Sequence, residues 1–193
     1  RDFTDRRLRQ RVEPAGPDKI YISRSGLFRK RGRFLMEDYI EAKMKTEGYT
    51  VFHPQDHDLE TQLAWYKGAS AIVSTDNSAL HLAAFVINPD CKIGILLRRP
   101  GAIFADFEMQ LRWFAGVRPD IIDACTRYWF RAGEKVQYNE VYALIDFEKT
   151  ARALKSAGII ENANWVNPSN ADVDRAVEKL EADTETRFDE IFL

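Results

Sequence analysis

Strand-like and helix-like segments alternate through the first half of this sequence, and that alternation restricts the possible folds more than any other feature. Strands are predicted where β-branched and apolar residues cluster, at 19–24, 49–53, 69–74 and 92–97. Helices are predicted where apolar residues recur every three or four positions, at 33–47, 59–67 and 77–86, with a further candidate at 102–114. Segment 92–97 is apolar almost throughout, which is typical of a parallel strand buried on both faces. The pattern predicts an α/β fold with a doubly wound, mostly parallel, Rossmann-like sheet.

The second half gives a weaker signal. Segment 121–130 is ambiguous between helix and strand, whereas 142–145 is typical of a strand leading into a helix capped by Asp146. The tail, 169–193, carries 8 acidic and 3 basic residues and predicts an amphipathic helix that docks on the domain or on a partner. Its apolar positions include Val173, Val177, Leu180, Phe188 and Ile191. The predicted division is a basic amino-terminal arm (1–18), a Rossmann-like domain (19–168) and an acidic carboxyl-terminal helix (169–193).

The charge of the chain is unevenly distributed. The net charge is -2, but residues 1–33 hold 11 Lys and Arg against 4 Asp and Glu. An acidic body argues against a dedicated nucleic-acid-binding protein, which is usually basic throughout, so that function ranks last. A basic front end on an acidic body instead suggests that the front end meets an anion.

Cysteine usage and hydropathy predict a reduced, cytoplasmic protein without a membrane span. Cys91 and Cys125 are far apart, with no CxxC or HxxH neighbour, so buried thiols are predicted and no metal site. The longest apolar run, 79–87, is far shorter than the ~20 residues of a membrane span. GxSxG, GxxxxGK[ST] and GxGxxG motifs are missing, which argues against the common hydrolase, nucleotide-triphosphatase and dinucleotide-binding readings. Because the chain begins with Arg1, we expect a fragment of something longer.

A turn of small polar residues follows the third predicted strand and opens a helix. Small side chains let a ligand approach the backbone, and exposed N–H groups with the helix dipole favour a phosphate. The alternative is an ordinary helix cap, because most strand-to-helix turns have this composition. The candidate binding residues here are Thr75, Asp76, Asn77, Ser78 and, one turn into the helix, His81.

A second candidate is the set of basic residues between the first strand and the first helix. In a parallel sheet this loop also lies at the carboxyl edge, so Arg24 and Arg33 could hold a diphosphate beside the polar turn. A solvated charge run is the alternative for Arg29, Lys30 and Arg31. His53 and His57 flank the end of the second strand, where one could reach a substrate, although ordinary surface groups are the alternative. The arginines before the first strand suggest a helical arm on a partner or a loose terminus. These arginines are Arg1, Arg6, Arg7, Arg9 and Arg11.

Three blocks of the sequence form a recognisable combination. They are KIYISRS at 19–25, RFLMEDYIEAKMKTEGYTVFHP at 33–54 and ETQLAWYKGASAIVSTDNSALHLAAF at 60–85. Together they resemble the carboxyl-terminal domain of glycosyltransferase family 61, which includes capsular-polysaccharide biosynthesis proteins. The family pattern has an Arg ending a strand, a second Arg before an Asn-Glu pair, and a Gln opening the helix before the third strand. The matching residues are Arg24, Arg33, Glu37 and Gln62, with Met36 in place of the Asn.

The turn after the third strand departs from the family pattern, which reads His-Gly-Ala-x-Leu-x-Asn. Asp76 and Asn77 stand where His-Gly is usual, and Leu82 replaces the final Asn. A His can donate to a phosphate oxygen, whereas an ionised Asp76 repels it unless an arginine neutralises the carboxylate or the side chain turns away to cap the helix.

The resemblance implies one lobe of a GT-B-like glycosyltransferase that binds a nucleotide-sugar donor, needs no metal or other cofactor, and leaves the glycan acceptor to a separate amino-terminal lobe. Arg24 and Arg33 would neutralise the diphosphate, the 75–78 backbone would cradle it, and Gln62 and His81 would orient the donor. The alternative is a non-catalytic binding or assembly module, homo-oligomeric or paired with the missing lobe, which Asp76, Leu82 and the acidic tail suggest.

Overall fold

The computed structural model of the chain describes residues 8–27, 31–99 and 104–192. Its strands are β1 (Lys19–Ile22), β2 (Thr50–Phe52), β3 (Ala71–Thr75), β4 (Lys92–Leu96), β5 (Asp120–Ile122), β6 (Cys125–Arg131), β7 (Tyr142–Ile145) and β8 (Phe188–Ile191). Its α-helices are α1 (Glu37–Thr46), α2 (Leu59–Gly68), α3 (Ala79–Ala83), α4 (Phe104–Gln110), α5 (Phe147–Ser156) and α6 (Asn170–Thr184). A π-turn at Leu111–Ala115 extends α4, and 3₁₀ turns lie at Pro54–Asp56 and Tyr138–Glu140.

The main sheet has five strands in the order β2-β1-β3-β4-β5, and every neighbouring pair is parallel. The predicted mixed α/β fold with a mostly parallel sheet is therefore confirmed. This strand order is one of those found in doubly wound folds. The direction of winding reverses between β1 and β3, so the connections from their carboxyl ends run to opposite sides and leave a crevice.

Helices cover both faces of this sheet, because its central strands are apolar on both sides. All five residues of β3 are buried. On one face Ile72 belongs to a core that includes Leu63 of α2 and Leu80 of α3. On the other face Val73 belongs to a core that includes Ile40 of α1. Burial on both faces explains why β3 and β4 read as continuous apolar runs rather than alternating ones.

A second, antiparallel sheet of order β7-β6-β8 packs beside the first, and the sequence analysis did not foresee it. The ambiguous segment 121–130 is mostly strand, divided between β5 of the main sheet and β6 of the second. The loop before α1 is fastened to this sheet. Leu35 N donates to Ala143 O at 2.8 Å, and Ala143 N donates to Arg33 O at 3.1 Å.

The acidic tail is a helix only as far as Thr184. Ser169 and Asp172 form a capping box at the start of α6, and Val173 and Leu180 pack into the core, so the helix docks back on its own chain. The predicted continuation to 193 is wrong, because Glu185 takes a left-handed conformation (φ 51°) and β8 then pairs with β6. An apolar residue every third position fits a helix, yet the open edge of β6 supplies a better hydrogen-bonding partner.

The described part of the amino-terminal arm is packed against the domain rather than loose. The Lys67 ammonium donates to Arg9 O at 2.7 Å and to Val12 O at 2.6 Å, while Arg9 donates to Ile87 O. Leu8 and Val12 contact the core on the α2 face. The expectation of a free terminus is therefore wrong for Arg9, whereas Arg1, Arg6 and Arg7 lie outside the described residues.

Both cysteines are free thiols, as predicted, and neither is readily ionised. Cys91 is buried and Cys125 is half-buried. Burial raises the pKa of each thiol to about 12, which keeps it protonated at neutral pH. The Cys125 thiol donates to Leu97 O at 3.0 Å.

The longest helix, α6, has 15 residues and carries charged side chains along its length. Within the described ranges no helix is both long and apolar enough to cross a membrane.

Candidate functional site

A cavity of about 330 Å³ opens where β1 and β3 end, at the reversal point of the main sheet. Arg24 reaches it from the loop after β1, Gln62 from α2, and Asn77 and Ser78 from the turn after β3. Four of the predicted site residues are thus brought together, at the edge where doubly wound sheets bind ligands. We call this the switch-point cavity; its other lining residues are Ile22, Ser23, Leu27, Pro54, Gln55, Ala79 and Leu82.

The polar turn after β3 is held by its own side chains. Asn77 Oδ1 accepts a hydrogen bond from Ala79 N at 2.8 Å, and Asn77 Nδ2 donates to Ser74 Oγ at 2.8 Å and Thr75 Oγ1 at 3.1 Å. The predicted helix 77–86 is shortened to the five residues of α3. A helix this short adds little dipole, so a phosphate here must be held mainly by side-chain cations.

Asp76, which stands where the family has His, is neutralised by two arginines that follow β4. Its Oδ1 lies 3.7 Å from Arg98 Nε and accepts a hydrogen bond from Arg98 N at 3.2 Å, while its Oδ2 is paired with Arg99 Nε. The Asp76 side chain is only 2% exposed. The carboxylate therefore turns toward β4 and is compensated, so it does not present an unpaired negative charge to a ligand.

Arg98 and Arg99 are not among the site residues predicted from the sequence. Arg98 is 1% exposed and donates from Nη1 to Val141 O at 3.0 Å. Burial lowers its pKa to about 10, although Asp76 opposes the shift, so the guanidinium stays charged at neutral pH. The sequence did contain a signal for these residues, an Arg-Arg pair directly after an apolar strand. Because β3 and β4 are adjacent and parallel, residues that follow them lie at the same edge of the sheet.

Arg24 completes a group of three arginines, Arg24, Arg98 and Arg99, which we call the arginine cluster. Its Nε donates to Gly32 O at 2.8 Å, which fixes the guanidinium at the border of the switch-point cavity. Burial is the main cause that lowers its pKa, and the neighbouring Arg99 charge adds to the effect while Asp76 opposes it. Closely spaced cations that are partly desolvated form a site that an anion would stabilise.

Arg33 lies in a different place from the one predicted. Its Nη1 donates to Ser25 O at 2.6 Å, and its guanidinium lies 5.8 Å from the ring centre of Tyr142. It lines a separate groove of about 370 Å³ between the start of α1 and α6, and it is not among the residues that line the switch-point cavity. We call this second depression the α1–α6 groove.

Two other candidate residues are occupied by contacts within the protein. His81 Nδ1 lies 2.6 Å from Gln110 Oε1, and its ring packs on Phe107, so it faces α4. Gln62 Nε2 donates to Pro54 O at 2.8 Å and to His57 O at 2.9 Å, which fixes the turn at the wall of the switch-point cavity. Gln62 therefore shapes the cavity, and His81 shapes the packing behind it.

Glu37 is a buried carboxylate with one oxygen unsatisfied. Its Oε1 accepts from Arg24 N at 2.8 Å and from Ser23 Oγ at 3.3 Å. Its Oε2 is buried and has no hydrogen-bond partner among the described residues, although Glu37 lines the α1–α6 groove. Burial raises the pKa of Glu37, with Arg24 and Arg33 opposing the shift. A buried acceptor without a partner calls for a missing donor.

Met36, which stands where the family has Asn, is in a left-handed conformation with φ 61° and ψ 36°. Asn and Gly adopt this conformation readily, whereas an unbranched apolar side chain does so at a cost. The strained residue is the N-cap of α1, immediately before Glu37. Backbone strain of this kind persists where the surroundings dictate the local path of the chain.

We expect Met36→Gly to be more stable than Met36→Ala by about 1 kcal/mol, because only glycine relieves the positive φ while both variants lose the same side-chain contacts. The measurement is the free energy of unfolding in urea. At the exposed helical position Lys45 the same pair of substitutions serves as control and is expected to rank in the opposite order. An alanine variant at 36 as stable as the glycine variant would contradict the assignment of strain.

The rest of the basic loop adds little that can be described. Arg31 is exposed, whereas Arg29 and Lys30 lie outside the described residues. His57 packs on Phe52 and Trp65 rather than facing solvent. In the described part of the chain no group of three His, Cys, Asp or Glu side chains is arranged to hold a metal ion.

The comparisons with known proteins concern the part of the chain that precedes residue 95. No curated protein matches the chain. The family model Glycosyltransferase 61 matches residues 1–94, which include β1, α1, α2, β3 and the polar turn that borders the switch-point cavity. This family suggests glycosyltransferase activity, with a sugar donor and an acceptor as substrates. Over these residues, just under half of its length, the chain is thus similar to the glycosyltransferase 61 family.

Proposed function

We propose that this chain is the donor-binding lobe of a GT-B-like glycosyltransferase, and that the switch-point cavity holds a nucleotide sugar. The observation that carries the proposal is the position of Arg24. It borders a cavity at the reversal point of a parallel sheet, and Asp76 and Arg99 are near enough to influence its charge. The similarity to glycosyltransferase 61 suggests the reaction class, and the switch-point cavity is the proposed binding place.

The lining of the switch-point cavity suits a nucleoside diphosphate. Apolar groups such as Leu27 and Leu82 can contact a base or a sugar face, while Gln55 and Ser78 offer hydrogen bonds. A volume of about 330 Å³ falls within the usual range for small-molecule sites. The cation at its border, Arg24, would meet the phosphates.

The cationic residues at the cavity would act by electrostatic stabilisation of the leaving diphosphate. In glycosyl transfer an acceptor hydroxyl attacks the anomeric carbon, its proton passes to a general base from outside this lobe, and the diphosphate leaves with the electron pair of the broken C–O bond. Arg24 would neutralise the charge that develops on the leaving group, and Arg99, only 16% exposed in its side chain, would assist from beside Asp76. Donors fixed before the reaction need no reorganisation as charge develops, which is why such sites accelerate bond cleavage.

The alternative of a non-catalytic module is not favoured. It depended on Asp76 as an uncompensated charge, on Leu82 in place of the family Asn, and on the acidic tail as a docking surface, and the first and third of these grounds are removed. Asp76 is paired with Arg98 and Arg99, and α6 packs its apolar side on its own domain.

The proposal is tested with a panel of nucleoside diphosphates and their sugar conjugates in a thermal-shift and calorimetric assay. We expect at least one to raise the melting temperature. Arg24→Ala should weaken its binding about 10- to 100-fold, because a charge-assisted hydrogen bond to phosphate is lost. Arg152→Ala, which removes an exposed arginine of α5 paired at 3.6 Å with Glu148, is the charge-matched control and should leave the affinity unchanged.

Two outcomes would count against the proposal. One is a panel in which no compound raises the melting temperature. The other is a response to which Arg24→Ala and Arg152→Ala contribute equally, because it would reflect the net charge of the protein rather than a local anion site.

A further inference from the structure

A second pocket adjoins the segment that carries Arg24. Ser23 and Arg24 line the switch-point cavity, whereas Ser25 lines the α1–α6 groove, so the two depressions share the segment 23–25. The Ser23 and Ser25 hydroxyls are 3.2 Å apart and link the two walls.

The lining of the α1–α6 groove includes a carboxylate with one oxygen that lacks a hydrogen-bond partner among the described residues. Glu37 is 3% exposed, its Oε1 is held by Arg24 N, and its Oε2 has no hydrogen-bond partner among the described residues. Leaving such an oxygen unpaired is costly, so a ligand that donates a hydrogen bond at this point would be favoured.

The rim of the groove has charges of both signs. Arg33, Arg175 and Lys179 supply donors. Asp38 and Asp183 supply acceptors near them, and Leu35, Ala176 and Leu180 give the groove an apolar wall. A strongly anionic or cationic ligand would meet like charge on one side. An uncharged polyol, which both donates and accepts and also has C–H faces, would match the whole lining.

We infer that the α1–α6 groove binds an uncharged saccharide and is the acceptor pocket of this lobe. The inference rests on the proposed function, since a glycosyltransferase needs an acceptor hydroxyl close to its donor. It departs from the expectation that a separate lobe holds the acceptor. Glu37 acts here as a positioning residue: it holds the Arg24 backbone with one oxygen and accepts a hydrogen bond from a saccharide hydroxyl with the other.

The probes for this site are the methyl glycosides of glucose, galactose, mannose and xylose, added to the full chain and followed by NMR. Ligands of this size are expected to bind in the millimolar range. We expect amide shifts that cluster at 33–38 and 175–183 for at least one glycoside. Lys179→Ala, a change at an exposed position, should weaken that binding about 3- to 10-fold, as for loss of one hydrogen bond.

Control variants separate the saccharide site from general effects. Lys155→Ala removes an exposed lysine of α5 that does not line the groove, and it should leave glycoside binding unchanged. Glu37→Gln keeps an acceptor for Arg24 N but puts an amide at one oxygen position, so it should weaken glycoside binding more than Lys179→Ala does. If this variant is poorly folded, Lys179→Ala still decides the question.

The outcomes distinguish this inference from the proposed function. Nucleoside diphosphate binding without any glycoside response would overturn the acceptor pocket and leave the donor site intact. A glycoside response that Lys179→Ala leaves unchanged would also overturn it. Glycoside shifts confined to the groove, in a protein that binds no nucleoside diphosphate, would support the saccharide site and reject the donor lobe.

Discussion

Asp76→Ala is expected to lower the free energy of unfolding by about 3–5 kcal/mol, the largest loss that we anticipate for any change at the site. The substitution leaves Arg98, 1% exposed, as a buried cation without its carboxylate partner. Breaking one side of a buried ion pair costs far more than the pair itself contributes, because the remaining charge stays desolvated. Urea denaturation with a measured m-value gives the change directly.

Asp58→Ala provides the comparison for this effect. Asp58 is the exposed N-cap of α2 and accepts from Thr61 N at 2.7 Å, so its removal should cost about 1 kcal/mol. The double variant Asp76→Leu with Arg98→Met should recover most of the loss, since an apolar pair of similar volume needs no charge compensation. If Asp76→Ala costs no more than Asp58→Ala, Arg98 is not held as a buried cation.

Gly32→Ala is the second change with a large expected effect, on stability and ligand binding together. A Cβ at Gly32 would lie 2.6 Å from Glu140 C and 2.7 Å from Arg98 Nη1, and closer still to Val141 O. Two of these atoms are backbone, so the loop must move away from the 140–141 segment. We expect a loss of about 2–3 kcal/mol, typical of overpacking, and at least a tenfold weaker affinity for nucleoside diphosphates.

The loss of affinity follows from the contact between Gly32 O and Arg24 Nε, since a displaced loop carries the guanidinium with it. Gly26→Ala, in the same loop, is the matched control for the loss of stability. Its Cβ would first meet the end of the Gln55 side chain at 2.7 Å, a flexible group that can turn aside. Similar losses in both variants would mean that the loop is sensitive to any added volume, and that Gly32 has no special place in it.

The main sheet could be predicted because each of its first four strands can be recognised from its own residues. The alternation of strand and helix through β4, and the apolar runs of β3 and β4, depend on burial that each segment would have in any parallel sheet. The second sheet depends on pairing between distant segments. β8 is only four residues long, and the three-residue spacing of Phe188 and Ile191 favours a helix, because it places the two side chains on opposite faces of a strand. The local pattern therefore argues against the strand that forms.

The positions of the site residues could be predicted where they follow from the ends of adjacent strands. They could not be predicted where a side chain has several possible partners in neighbouring elements. Arg24, Asn77 and Ser78 meet because β1 and β3 are adjacent and parallel. Arg33 instead contacts Ser25 O and the ring of Tyr142, and Tyr142 belongs to β7 of the second sheet, which was not predicted. The sequence predicted that Asp76 would repel a phosphate unless an arginine neutralised it. Its partners, Arg98 and Arg99, follow β4, and they could be identified only once the order of the strands showed which loops are in contact.

Backbone hydrogen bonds join the loop before α1 to β7, and they limit how early during synthesis this site can form. The matched family segment ends at residue 94, yet Asp76 is neutralised by residues that follow β4, and Leu35 is tied to Ala143. Residues 1–94 by themselves would hold a buried acid without its cations and a basic loop without its anchor. The matched segment is thus not an autonomous module, and during synthesis we expect the contacts of Asp76 and of the basic loop to form only after β7 has emerged.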